Sequence, residues 1–153
     1  IGAVVGLVAI TPGAGLVGMG SSLLIGAIAA LVSNVAVHWK TQTDIDDTLD
    51  VFPCHGVGGM VGMILTAVFA TSGGLITGSF DLLARHGIAL VVVSPLIFGM
   101  SYALFHVTKL VTPIRVSLEH ELMGLDLSQH GETVTLMPDA PPMVPEGGVV
   151  LER

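Results

Sequence analysis

Three stretches of this chain contain no Asp, Glu, Lys or Arg: residues 1–39, 51–80 and 86–108. Each exceeds the roughly 18–20 apolar residues that a helix needs to cross the hydrocarbon core of a bilayer. A surface helix of a soluble protein keeps one face polar, so helices apolar all round for that length belong in lipid. Charged residues are only 11% of the chain and hydrophobic ones 52%, against roughly 25% charged in soluble domains. The expected fold is an all-α integral membrane protein, a bundle of packed helices.

The charge count excludes other classes. Five Lys and Arg against twelve Asp and Glu leave a net charge of −7, which is unsuited to a nucleic-acid surface. The single cysteine, Cys54, lies inside an apolar run and supports neither a disulfide framework nor a zinc site. No nucleophile, base and orienting group assemble into an enzyme's constellation. Nothing points to a cofactor or a metal. The chain opens at Ile1 without a basic n-region of the secretory kind, and its apolar opening is expected to continue a helix cut from a longer chain.

Four membrane segments and a tail follow from the pattern. They cover about 1–10 (the end of a helix), 16–39, 51–71 and 87–112, with 113–153 as a water-exposed tail. Lys40, Lys109 and Arg115 flank the second loop and the tail, while Arg85 stands on the opposite side. By the positive-inside rule, the loop Lys40–Asp50 and the tail are cytoplasmic. Sixteen of the twenty glycines lie in residues 1–112. Small residues let helix backbones approach in lipid, where no hydrophobic force drives them together. Gly18, Ser22, Gly26 and Ala30 form such a face on the second helix, and Gly58 and Gly62 repeat the spacing on the third. Packing accounts for them.

Five of the six histidines lie at membrane edges or in water. His38 sits beside Trp39 and Lys40 at an interface, His86 in the outer loop, His106 near the end of the fourth helix, and His120 and His130 in the tail. His55 differs. It sits in Asp50-Val51-Phe52-Pro53-Cys54-His55-Gly56-Val57-Gly58-Gly59, with no charge in the next twenty-five residues. If Asp46 and Asp47 mark the cytoplasmic surface, His55 lies eight or nine residues further on, roughly 12–14 Å deep at ~1.5 Å per residue and close to the centre of a ~30 Å hydrocarbon core. An ionisable group at that depth needs a cavity or a partner, which makes it a candidate functional residue. Neutral imidazole both donates and accepts hydrogen bonds, and its charge changes near neutral pH. A hydrogen bond to a neighbouring helix is the competing explanation. Gly56, Gly58 and Gly59 leave room beside it for a narrow lumen or a crossing helix.

The run Asp46-Asp47-x-x-Asp50-Val51-Phe52-x-x-His55-Gly56-Val57-Gly58-Gly59 resembles the penultimate-helix signature of the ammonium transporter (Amt/Mep/Rh) family. Gly2-Ala3-Val4-Val5-Gly6-Leu7-Val8-Ala9-Ile10-Thr11-Pro12 is similar to the end of the family's eighth helix. Gly124-Leu125-Asp126-Leu127-Ser128-x-His130-Gly131-Glu132 is similar to its cytoplasmic tail. The three stretches occur in family order and extend to about Glu132; residues 133–153 match nothing recognisable.

The resemblance implies helices eight to eleven plus the tail of an eleven-helix, inverted-repeat transporter that assembles as a homotrimer in the plasma or inner membrane. In such transporters a histidine from each repeat lines a hydrophobic pore, and His55 matches the second of the pair. Ammonium recruited at an outer vestibule loses a proton, because a bare charge is costly in a dry lumen, and ammonia passes the imidazoles. Asp50, Phe52, Gly56, Gly58 and Gly59 match positions supporting the pore helix. Arg115, Glu121, Gly124 and Asp126 match the regulatory tail, whose cytoplasmic face docks a PII-type signal protein in bacterial members. An ammonium sensor signalling through its tail and an Rh-type gas channel are the alternatives. Pro53-Cys54 departs from the Gly-Val expected there, so that Pro53 falls either in the helix's first turn or at a kink. Pro95 invites a similar kink in the fourth helix.

Overall fold

A computed structural model describes residues 1–132. The chain forms α1 (Gly2–Ile10), α2 (Met19–Lys40), α3 (Gly58–Phe69), α4 (Asp81–Val111) and α5 (Leu118–Met123). A wider π-helical stretch, Phe52–Val57, leads directly into α3, and another, Asp126–His130, follows α5. Short 3-10 turns occupy Thr11–Gly13 and Leu75–Thr77. Among the described residues the only strand-like pairing is an isolated antiparallel bridge between Val17 and Ala70. Met19–Lys40, Phe52–Phe69 and Asp81–Val111 are long and apolar enough to cross a membrane. The all-helical membrane architecture expected from the charge-free windows is the one observed.

The chain divides into two compact units, one ending at Tyr102 and the other beginning at Ala103. In the first, α1, α2 and α3 pack around Val5, Ala9, Ile25, Ala29 and Cys54. Small residues set how closely they cross. A Cβ on Gly62 would lie 2.7 Å from the Ala9 Cα and 2.8 Å from its carbonyl carbon, so α1 and α3 touch backbone to backbone there. A Cβ on Gly26 would lie 3.7 Å from the Gly6 Cα, so α1 and α2 also cross at glycines. On α3 the buried line is Gly58, Gly62 and Thr66, which continues the predicted spacing. On α2 the buried line is Ile25, Ala29 and Ser33, one position back from the expected face, and Gly18 of that face is exposed.

At one end of this unit the Thr71 backbone N–H donates to the Leu16 carbonyl at 2.9 Å, and the Thr71 hydroxyl donates to the same oxygen at 3.1 Å. The start of α2 and the end of α3 are thus joined there. The Lys40 end of α2 and the start of the Phe52–Phe69 span lie at the other.

Two boundaries differ from expectation. α2 starts at Met19 because Gly13 to Gly18 make a turn in which the Leu16 and Val17 amides donate to the Gly13 carbonyl. α4 starts at Asp81, six residues early, and takes in Arg85 and His86. The Ser79 hydroxyl accepts from the Asp81 amide at 3.4 Å. The acidic residue favours the positive end of the helix, and Arg85 pairs with it one turn on at 2.7 Å. His86 is therefore not an outer-loop residue: its Nδ1 lies 2.8 Å from the Met63 carbonyl and donates to it, tying α4 to α3. α4 continues as one helix through Pro95.

Candidate functional site

The segment carrying His55 begins at Val51, and its first turn is accounted for amide by amide. A helix start leaves its first backbone N–H groups without intrahelical acceptors. Here the Val51 N–H donates to Asp47 Oδ1 at 2.8 Å and the Phe52 N–H to Asp47 Oδ2 at 2.9 Å. The Asp50 N–H donates to the Asp47 carbonyl at 3.1 Å. Pro53 has no N–H, and the Cys54 N–H donates to the Asp50 carbonyl at 2.9 Å. One aspartate therefore serves every amide that the turn would leave bare. Pro53 occupies the position where a missing donor has no cost, so of the two outcomes expected for it the first-turn placement is the one observed.

Those bonds have an electrostatic consequence. The Phe52 amide, then the Val51 amide, hold the Asp47 carboxyl below its ordinary pKa, with Lys40 adding to the effect. A depressed folded-state pKa means that the cap's contribution is fully present above the unfolded value. It is lost only as pH falls through the depressed one, well below neutrality.

Lys40, the last residue of α2, closes the arrangement. Its Nζ pairs with Asp50 Oδ1 and also donates to the Asp47 carbonyl. Both side chains are largely withdrawn from solvent, Lys40 at 16% and Asp50 at 21% exposure. Asp50 has φ 54°, the one non-glycine positive φ in the described chain. This left-handed conformation is tolerated by Asp better than by most residues.

His55 follows one turn later, exposed on the surface of this unit and with no hydrogen bond to its ring among the described residues. Helix starts only at Val51 and residues 46–50 run as irregular chain and turn. Four residues of helical rise, about 6 Å, therefore separate His55 from the helix start. This corrects the 12–14 Å depth, which assumed helical rise from Asp46 onward. Phe52 lies one turn before Gly56, and its ring covers the Gly56 Cα. A Cβ on Gly56 would come within 2.9 Å of the ring Cδ2. Gly58 and Gly59 face the other way, toward helices of the bundle: a Cβ on Gly58 would meet Val5 at 3.1 Å and Ser33 at 3.3 Å, and one on Gly59 would meet Val8 at 3.8 Å. The glycines therefore serve a ring on one side and a crossing helix on the other.

In the second unit, the Arg115 Nη2 donates to Glu121 Oε1 at 2.7 Å and Nε to Oε2 at 3.3 Å, a two-pronged ion pair. Ser117 caps α5 by accepting from the His120 amide at 3.4 Å. Gly124 follows with φ 92°, where a side chain would be strained, and the Asp126 carbonyl accepts from the Glu132 amide at 3.0 Å. Arg115 and Glu121 are thus brought together, with Gly124 and Asp126 in the next turns. Residues 133–153 of the tail lie outside the described residues.

Lys40 and Asp47 were missed as site residues. In the sequence Lys40 served to orient the chain and to mark an interface, and Asp47 to mark the surface and as part of the Asp46–Gly59 run. An N-cap signal is an Asp immediately before an apolar run, which points to Asp50; that Asp47 reaches amides four and five residues on was set by the fold of the turn.

The family model of the Ammonium Transporter Family matches residues 1–135. The ammonium transporter 1 of Schizosaccharomyces pombe is 39% identical, matching 97% of this chain and 33% of its own length. The ammonium transporter of Aquifex aeolicus is 42% identical over 86% of this chain and 32% of its own. That of Bacillus subtilis is 37% identical over 86% and 34%. The chain thus spans about a third of the length of the curated relatives it matches. With its apolar spans, its glycine crossings and a match over every described residue, the chain belongs to the ammonium transporter family.

Proposed function

We propose that this chain is the carboxy-terminal part of an ammonium transporter, helices eight to eleven and the tail. Its role is to supply His55 as one of two histidines along a hydrophobic conduction path. The observation that carries the reading is the placement of His55. Its imidazole is exposed and, among the described residues, unpartnered on a membrane-length helix, at a turn whose backbone is fully capped and where the Phe52 ring lies against Gly56. An ionisable ring on an apolar span, left open by the helices around it, suits a lumen completed by another part of the protein. There it hydrogen-bonds ammonia and passes or holds a proton. Phe52 and Gly56 shape the wall, Asp50 and the glycines Gly58 and Gly59 hold the helix, and none of these five binds substrate.

The protein lies in the plasma or inner membrane with its carboxy terminus cytoplasmic and works as a homotrimer. Residues 113–153 form a regulatory tail in which Arg115, Glu121, Gly124 and Asp126 make the contact to a neighbouring subunit, and the same face accepts a PII-type signal protein. The paired geometry of Arg115 and Glu121 supports a defined shape for the start of the tail.

The test uses the full-length gene in a strain lacking its own ammonium transporters, with methylammonium uptake read at low concentration. His55→Ala removes a hydrogen bond in a dry passage, ~1–1.5 kcal/mol, which corresponds to about tenfold in rate. That loss, or an altered charge coupling, at equal membrane expression is expected. Unchanged uptake would reduce His55 to a packing residue, and no uptake even by the wild type would favour the sensor.

A further inference from the structure

The Lys40–Asp50 pair is not explained by capping alone. Asp47 already serves the amides of Asp50, Val51 and Phe52, so the turn would be satisfied without Lys40. Yet Lys40 spans from the end of α2 to both Asp50 and the Asp47 carbonyl. Asp50 holds a backbone conformation that glycine would hold with less strain. A residue kept at φ 54° where glycine is favoured is there for its side chain, and among the described residues that carboxylate pairs with Lys40.

The burial of the pair strengthens the argument. At about one-fifth exposure the charges attract more strongly than a surface pair, and removing one leaves the other partly desolvated and uncompensated. The pair therefore couples the end of one membrane span to the start of the next. What begins at that start is a wide π-helical turn, Phe52–Val57, bearing Phe52 and His55. Such turns are departures from regular α-helix that recur at functional sites, and the position of the ring on this one depends on where the turn is anchored.

We infer that Lys40 is a positioning residue for His55: through its ion pair with Asp50 it sets the height and rotation of the His55 turn against α2. This rests on the reading of His55 as a conduction residue. Lys40 touches no substrate. It acts through Asp50 and the backbone of the helix start, and neutralising it lets the turn shift while α1, α2 and α3 stay packed at Gly6, Gly26 and Gly62.

The experiment compares Lys40→Met, Lys40→Arg, Asp50→Gly and the double variant Lys40→Met/Asp50→Gly in the full-length transporter. Asp50→Gly decides most, because it keeps the left-handed backbone and removes only the carboxylate. Maximal methylammonium uptake per transporter in the membrane is expected to fall about tenfold in Lys40→Met and in Asp50→Gly, the scale on which a displaced site group is felt. KM should change by less than about twofold, since recruitment lies elsewhere. Lys40→Arg should recover most of the rate, and the double variant should be no slower than either single one. Wild-type rates in Asp50→Gly, or losses that multiply in the double variant, would overturn the inference.

Hydrogen exchange of residues 50–58 in the purified full-length protein gives a second reading that does not depend on transport. Exchange about fivefold faster in both single variants is expected, and unaltered exchange in both overturns the positioning role. If the wild type takes up no methylammonium, the conduction reading fails by itself, while exchange still decides whether Lys40 anchors the turn.

Discussion

α3 and α4 are both apolar spans, yet the chain treats them in opposite ways. Asp81–Val111 is the more apolar of the two and none of its residues is buried, whereas Phe52–Phe69 is less apolar and supplies Pro53, Cys54, Gly58, Gly62, Thr66 and Ala67 to the interior. In water the more apolar helix would be the better buried one. In a chain built for lipid, hydrophobicity no longer sorts helices, and small side chains do. α3 has glycines every four residues along one line, while Gly87 and Gly99 of α4 face open space.

The largest expected effect comes from closing the α1–α3 crossing. Gly62→Ala places a Cβ against the Ala9 backbone, which has no rotamer with which to yield. A destabilisation of about 3 kcal/mol or more is expected, at the upper end of overpacking costs, measured by denaturant unfolding of the full-length protein in detergent. A cost near zero would mean that the two backbones do not touch and would dissolve the contrast.

A middle-sized effect of opposite sign should come from Thr66. Its hydroxyl and that of Ser33 are fully buried and, among the described residues, have no hydrogen-bond partner. Thr66→Val keeps the shape and removes the buried polar atom, so a gain of about 1 kcal/mol is expected in the same unfolding measurement. A loss of that size would show that the hydroxyl is satisfied by something packed against this bundle.

The smallest effect should be at Gly99. A Cβ there meets nothing within 4 Å, so Gly99→Ala should alter stability by no more than about 0.5 kcal/mol in this part of the protein. A large loss in the assembled transporter would instead locate a close helix crossing on α4 supplied by another chain or segment.

Much of the architecture was legible in residue order. Charge-free windows of this length admit few solutions other than membrane spans, and the Asp46–Gly59 run marked His55 as the candidate residue. The regular spacing of Gly58 and Gly62 marked the face that α3 buries. Boundaries were less legible. Arg85 and His86 read as loop because charge in an apolar chain suggests water, but Asp81 pairs with Arg85 and Met63 offers a carbonyl to His86, and both neighbours are set by folding. His55 read as deep because helical rise was counted through Asp46–Asp50, where the chain turns instead.

What the sequence determined by itself was the solvent. Long runs without charge cannot be placed in water at tolerable cost, and the backbone in lipid must then close its own hydrogen bonds as helices. Which glycine touches which backbone, that Asp47 serves three amides around a proline, and that Lys40 reaches across to Asp50 were decided only in three dimensions. Those contacts join residues from different helices or across a turn, and their energies depend on distances of a few ångströms that no spacing along the chain encodes.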